Sequence, residues 1–252
     1  MMLAFALLLA LVIGLSLGLL GSGGSIITLP VLVYVAGIPA HEAVGVSLVV
    51  VGGTSLVGSL LNARRGSLDL KAGAFFAVSG LAGAFVGAKF TRLLSASALL
   101  FLFGGLMLAV GARMLLKKET DTPPQRCRPW RCLGVGLTVG VLTGFLGVGG
   151  GFLILPALVL FAGVEMKRAI GTSLAVIAVN CLGGLVGQLR YVRLDWLLTL
   201  AFLTAALAGM FAGAALAGRF PGSTLRPAFA WCVLGLGAVL VAWNGAALVG
   251  AP

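Results

Sequence analysis

Long apolar runs broken by short polar clusters occupy nearly the whole chain. Read between those clusters, the runs predict helices at about Leu3 to Leu20, Ile26 to Gly37, Ala43 to Leu61, Leu70 to Ala88 and Ala98 to Leu116. A second set follows at about Cys132 to Gly147, Phe152 to Gly163, Ala169 to Gln188, Trp196 to Ala217 and Pro227 to Val249. Most approach or exceed the roughly 20 residues that cross a hydrocarbon core as a helix. Alternating patterns of about ten residues, the mark of a transmembrane barrel, do not occur. The expected class is therefore an all-α polytopic membrane protein with 8 to 10 transmembrane segments. The second run of each set is the odd one. Ile26 to Gly37 gives a helix of about 18 Å at about 1.5 Å per residue, well short of a core about 30 Å thick.

The two sets are copies. Gly18-Leu-Leu-Gly-Ser-Gly-Gly-Ser-Ile-Ile-Thr-Leu-Pro30 returns as Gly144-Phe-Leu-Gly-Val-Gly-Gly-Gly-Phe-Leu-Ile-Leu-Pro156, 126 positions later (144 − 18), half of the 252 residues. The chain divides into a first repeat at 1–116, an inter-repeat loop at 117–131 expected on the cytoplasmic side, and a second repeat at 132–252, together one transmembrane domain. Each repeat holds one short, Gly/Pro-broken helix. In transporters, such segments at corresponding positions of two halves point to the binding site.

Loop charge bears on how the halves are related. If each short run fuses with its predecessor, the halves are parallel and the 17 cationic residues divide 11 to 6 across the membrane. If each counts separately, the halves are inverted. The division is then 13 (Arg64, Arg65, Lys71, the six from Arg113 to Arg131, Lys167, Arg168, Arg219 and Arg226) to 4. The sharper division favours inverted repeats.

Composition fits this class. Sixty per cent of residues are hydrophobic, 9% are charged and mean hydropathy is +1.18, whereas roughly a quarter of residues are charged in soluble domains. The net charge of +11 does not argue for nucleic acid, because the Lys and Arg sit in short loops between apolar runs. A cleaved signal peptide is disfavoured: no Lys or Arg precedes the first run, and Gly14 and Gly18 match Gly140 and Gly144. Cys127, Cys132, Cys181 and Cys232 lack metal-like spacing and read as isolated thiols. No zinc-protease motif, nucleophile elbow or paired intramembrane carboxylate occurs, so an enzyme is not expected, and neither is a cofactor or a metal.

Candidate substrate-binding residues follow from the repeat. In Gly21, Ser22, Gly23, Gly24 and Ser25, and in Gly147, Gly149, Gly150 and Gly151, glycine lets the backbone take positive φ and approach a ligand closely. A helix starting just after such a break directs unpaired N–H groups towards it, which suits an anion. The plainer alternative is that the glycines let helices pack. Ser47, Thr54, Thr172, Ser173 and Asn180 fall within predicted spans, where interhelical hydrogen bonding competes with substrate contact as their role. Asn62, Gln188, Arg64, Arg65, Arg190, Asp69 and Asp195 lie at span ends and read as solvated, orienting groups. His41 and Glu42, in the connection where Lys167 and Arg168 stand in the second half, are candidates for ion coupling because both can titrate.

The glycine strings, with Ala169-Ile-Gly-Thr-Ser173 and Asn180, make the chain similar to the TauE/SafE family of bacterial membrane permeases, the sulfite exporter or toluene-sulfonate uptake permeases. The resemblance covers nearly the whole chain. It implies a secondary transporter of a sulfur oxyanion or organosulfonate such as sulfite, in the cytoplasmic membrane of a bacterium. Expected partners are a small anionic substrate and the lipid bilayer, not nucleic acid; proton or sodium coupling and homo-oligomer formation stay open. The alternative is a non-transporting assembly factor or an accessory subunit of a redox complex.

Overall fold

The computed structural model describes residues 2–88, 96–116, 129–146, 151–188 and 195–249. Among these, the chain is helical throughout and has no strands. The elements are α1 (Met2–Leu20), α2 (Gly24–Pro30), which continues into a π-helical stretch (Val31–Val35), α3 (Ala40–Arg64), α4 (Leu70–Ala88) and α5 (Ala96–Leu116). The second half repeats them as α6 (Pro129–Leu146), α7 (Gly151–Leu160), α8 (Met166–Gln188), α9 (Trp196–Arg219) and α10 (Gly222–Val249). Four described segments, Glu42–Arg64, Met166–Val186, Trp196–Arg219 and Gly222–Ala242, are long and apolar enough to cross a membrane.

The same local devices recur at equivalent positions of the two halves. Both short runs end at a glycine of positive φ, Gly37 and Gly163, each at +69°. In both, an amide reaches back six residues, Ile38 to the Leu32 carbonyl at 3.1 Å and Val164 to the Leu158 carbonyl at 3.0 Å, closing the helix as a Schellman cap. Both fourth helices start behind an aspartate cap. Asp69 Oδ1 accepts from the Ala72 N–H at 3.0 Å, and Asp195 Oδ1 accepts from Leu197 and Leu198 at 3.0 and 3.2 Å. The span-end aspartates thus anchor helix starts.

Helix pairing also exchanges the halves. α1 packs on α9 as α4 packs on α6, while α3 packs on its own counterpart α8 and α5 on its counterpart α10. Glycines set the first two contacts: a side chain at Gly14 would run into the Ala206 carbonyl, and one at Gly140 into that of Gly80. Likewise Gly209 abuts Leu11 and Gly83 abuts Leu137. These four glycines serve close packing of backbones, as small residues do between membrane helices.

The order of contacts gives direction. Along α1 and α9, Gly14 meets Ala206 and Gly18 meets Met210 and Ala214, so the two run parallel. Along α3 and α8 the order reverses: Leu48 faces Gly184, Gly52 faces Cys181, Gly58 faces Leu174 and Asn62 faces Gly171. α5 and α10 are likewise antiparallel, with Gly104 against Val241 and Gly111 against Leu234. Equivalent helices that cross the same bilayer in opposite directions are what inverted halves produce; halves in parallel would give α3 and α8 one direction.

Three sequence expectations change. His41 and Glu42 belong to the first turn of α3, because the helix starts directly behind Pro39; Lys167 and Arg168 likewise open α8. α10 starts at Gly222 rather than Pro227, which sits in the second turn, where its missing N–H removes one bond without ending the helix. Cys132 is disulfide-bonded, whereas Cys181 and Cys232 are free thiols.

Candidate functional site

The first break is a tight reversal. Gly21 takes φ +76°, and its N–H closes α1 on the Leu17 carbonyl at 2.8 Å. A side chain there would be strained and would press on Ile170 and on the Ser173 hydroxyl of α8, 3.0 and 3.1 Å from its Cβ position. α2 then returns beside α1, so close that a Cβ at Gly24 would strike the Ile13 carbonyl and lie 2.7 Å from Leu17. The residues of the break are all buried or half-buried. Ser25 Oγ donates to the Ser22 carbonyl at 2.8 Å, while Ser22 Oγ, fully buried at 0% exposure, has no hydrogen-bond partner among the described residues. A buried hydroxyl left unpaired costs about 1–3 kcal/mol.

The start of α7 meets the first break. At Gly151, the first residue of α7, an added Cβ would lie 2.8 Å from Ser25 Oγ and 3.3 Å from Ile177 of α8. The starts of the two short helices therefore touch, one offering a serine hydroxyl and the other a bare backbone. Ile170, Ser173 and Ile177 lie three and four residues apart and form one face of α8 that runs beneath Gly21 and the start of α7. Ile177 is near the middle of α8, which puts the meeting point near mid-depth of the bundle. Gly147, Gly149 and Gly150 lie outside the described residues.

The other candidates divide. Thr54 bonds its own helix, donating to the Val50 carbonyl at 2.6 Å, and Ser173 does so to Ile170 at 2.9 Å. Thr172 donates to the Arg168 carbonyl at 2.8 Å and accepts from the Asp69 N–H at 3.1 Å, tying the α3–α4 loop to α8. For these three, local backbone bonding accounts for the hydroxyls. Asn180 differs: it is half-buried next to Cys181, which faces Gly52 of α3, and its Oδ1 is buried without a partner among the described residues. Ser47 is half-buried on α3 and Glu42 is exposed. His41 is placed by its backbone alone, in the first turn of α3. Ser55, fully buried with a hydroxyl that has no partner among the described residues, is a further polar group not legible from the repeat, because its second-half counterpart is Cys181.

Hydroxyls buried at a helix break and one half-buried amide on α8 can donate to or coordinate a small polar solute, but they supply no nucleophile–base pair. The description Sulfite exporter TauE/SafE fits residues 6–240. A probable membrane transporter protein of Xylella fastidiosa (strain 9a5c) is 35% identical over 208 residues, 78% of each chain. The probable membrane transporter protein YdhB of Bacillus subtilis (strain 168) is 28% identical over 213 residues, 82% of this chain and 87% of its own. The probable membrane transporter protein MJ0441 of Methanocaldococcus jannaschii is 32% identical over 200 residues, 73% of this chain and 74% of its own. No solved structure matches the chain. A polytopic helical bundle with two facing helix breaks, matched along nearly its full length, belongs to the sulfite exporter TauE/SafE family of membrane transporters.

Proposed function

We propose that this chain is a secondary carrier for a small anion, a sulfur oxyanion or organosulfonate such as sulfite, in the cytoplasmic membrane of a bacterium. The observation that carries the reading is the contact between the two short helices at Ser25 and Gly151. Half-helices that start against each other near mid-depth turn free N–H groups and hydroxyls towards one point, an arrangement suited to negative charge. Ser22, whose buried hydroxyl has no partner among the described residues, supplies a further donor. The sulfur in the substrate follows from the family description and not from the geometry.

Alternating access would come from one half rocking against the other across the α1–α9 and α4–α6 contacts. The cationic residues at the ends of α3 and α9 and the starts of α8 and α10 support the reading of that end as the cytoplasmic one. Proteoliposomes holding the purified chain should exchange radiolabelled sulfite or ethanesulfonate against the unlabelled anion, and Gly151→Leu should abolish exchange while still extracting as folded protein. Absence of exchange of sulfite, ethanesulfonate or a small carboxylate by the wild type would overturn the reading.

A further inference from the structure

Near the first break, at the cationic end of the bundle, a cavity of about 220 Å³ opens between α3, α8, α9 and α10. Its polar lining is Asn62, Arg65, Ser67 and Lys167, and none of the residues lining it is acidic. Asn62 and Arg65, expected as solvated end groups, are gathered by the fold with Lys167, more than a hundred residues away, round one space. Gly18 and Ile170 form its inner wall, and Ile170 is also the residue on which Gly21 rests.

The cavity is built, not incidental. The loop that supplies Arg65 and Ser67 turns at Gly66, φ +67°, and is closed by the Ser67 N–H on the Asn62 carbonyl at 3.0 Å. It is clamped to α8 twice. Asp69 N–H donates to Thr172, and Gly171 admits the Ser67 carbonyl, which would lie 2.6 Å from any Cβ there. Arg65 Nη1 donates to the Ala214 carbonyl of α9 at 3.2 Å, holding the guanidinium at the cavity. Asn62 Nδ2 is used on the Gly58 carbonyl at 2.8 Å. The equivalent sequence positions of the other half carry Gln188, Tyr191, Arg193 and His41, one fixed cation in place of two.

We propose that this cavity is an anion-collecting vestibule for the central site, in which Arg65 and Lys167 hold a small oxyanion or sulfonate before it moves along α8. The proposal rests on the carrier reading. Lys167, Ile170, Ser173 and Ile177 are spaced three, three and four residues apart, so one face of α8 runs from the vestibule to the meeting point of the breaks, about 15 Å at about 1.5 Å per residue. Two cations in a cleft with low-dielectric walls raise the local concentration of an anion by roughly tenfold or more at low salt.

The test has two arms. Lys167→Gln, alone and with Arg65→Gln, should raise the half-saturation concentration for ethanesulfonate exchange about tenfold at low salt while leaving maximal flux within about twofold, with Arg65→Lys close to wild type. In the second arm, Ser67→Cys is labelled by an anionic and a cationic methanethiosulfonate. The anionic reagent should react faster, added ethanesulfonate should protect, and Lys167→Gln should erase the preference. Unchanged half-saturation in the neutralised variants, or equal labelling by both reagents without protection, overturns the vestibule. A wild type that moves no anion overturns the carrier reading, and the labelling arm still decides whether the cavity attracts anions.

Discussion

At the scale of single residues, a few side chains fix where helices start. Asp69 and Asp195 accept backbone N–H groups at the starts of α4 and α9. Replacing either with alanine should cost about 1 kcal/mol, read as a lower thermal midpoint in detergent, with Asn partly restoring it. Thr172 has a second task in holding the Asp69 N–H; the first half has Val46 at the equivalent position, which cannot accept that bond. The sequence showed these aspartates as a repeated pair and assigned them to solvated span ends. Capping was not legible because it depends on a side chain turning back onto its own helix, which hydropathy does not record.

At the scale of elements, all ten predicted helices are present, with ends that move by a few residues. The long runs were legible because apolar length alone specifies a membrane helix. The ends of the short runs were less so, since Gly37 and Gly163 stand beyond the last helical turn as caps rather than inside it. Glycine also plays two parts that sequence cannot separate. Gly14 and Gly140 lie at backbone contacts between helices, whereas nothing stands within 4 Å of a Cβ at Gly105 or Gly134. Leucine at either of the first two should sharply reduce the monodisperse fraction seen by size exclusion after detergent extraction. Leucine at Gly105 or Gly134 should leave that fraction near wild type, and equal loss at all four positions would contradict the packing account.

At the scale of the whole molecule, the central feature is that α3 and α8, and α5 and α10, at equivalent positions of the two halves, run antiparallel. The 126-residue offset and the 13-to-4 charge division pointed to it; the reversed order of contacts between α3 and α8 gives it a geometric form. Pro39 and Glu165, exposed residues at equivalent positions, should therefore face opposite sides of the membrane. Pro39→Cys and Glu165→Cys should be modified by an impermeant thiol reagent from opposite sides, with Glu165→Cys protected in intact cells. Labelling of both from one side would mean parallel halves. The pairing of Ser25 with Gly151 was legible only as two similar strings; that they touch depends on both short helices turning back at mid-depth, which no local pattern specifies.

The most direct measurement joins the two breaks covalently. A Cβ at Gly151 would stand 2.8 Å from Ser25 Oγ, so Ser25→Cys combined with Gly151→Cys should form a disulfide on mild oxidation. Proteoliposomes carrying the oxidised double variant should lose at least about nine-tenths of radiolabelled ethanesulfonate exchange, recover it on reduction, and differ in this from wild type treated identically. Wild-type exchange rates in the fully cross-linked protein would contradict the claim that the anion passes between these two helix starts.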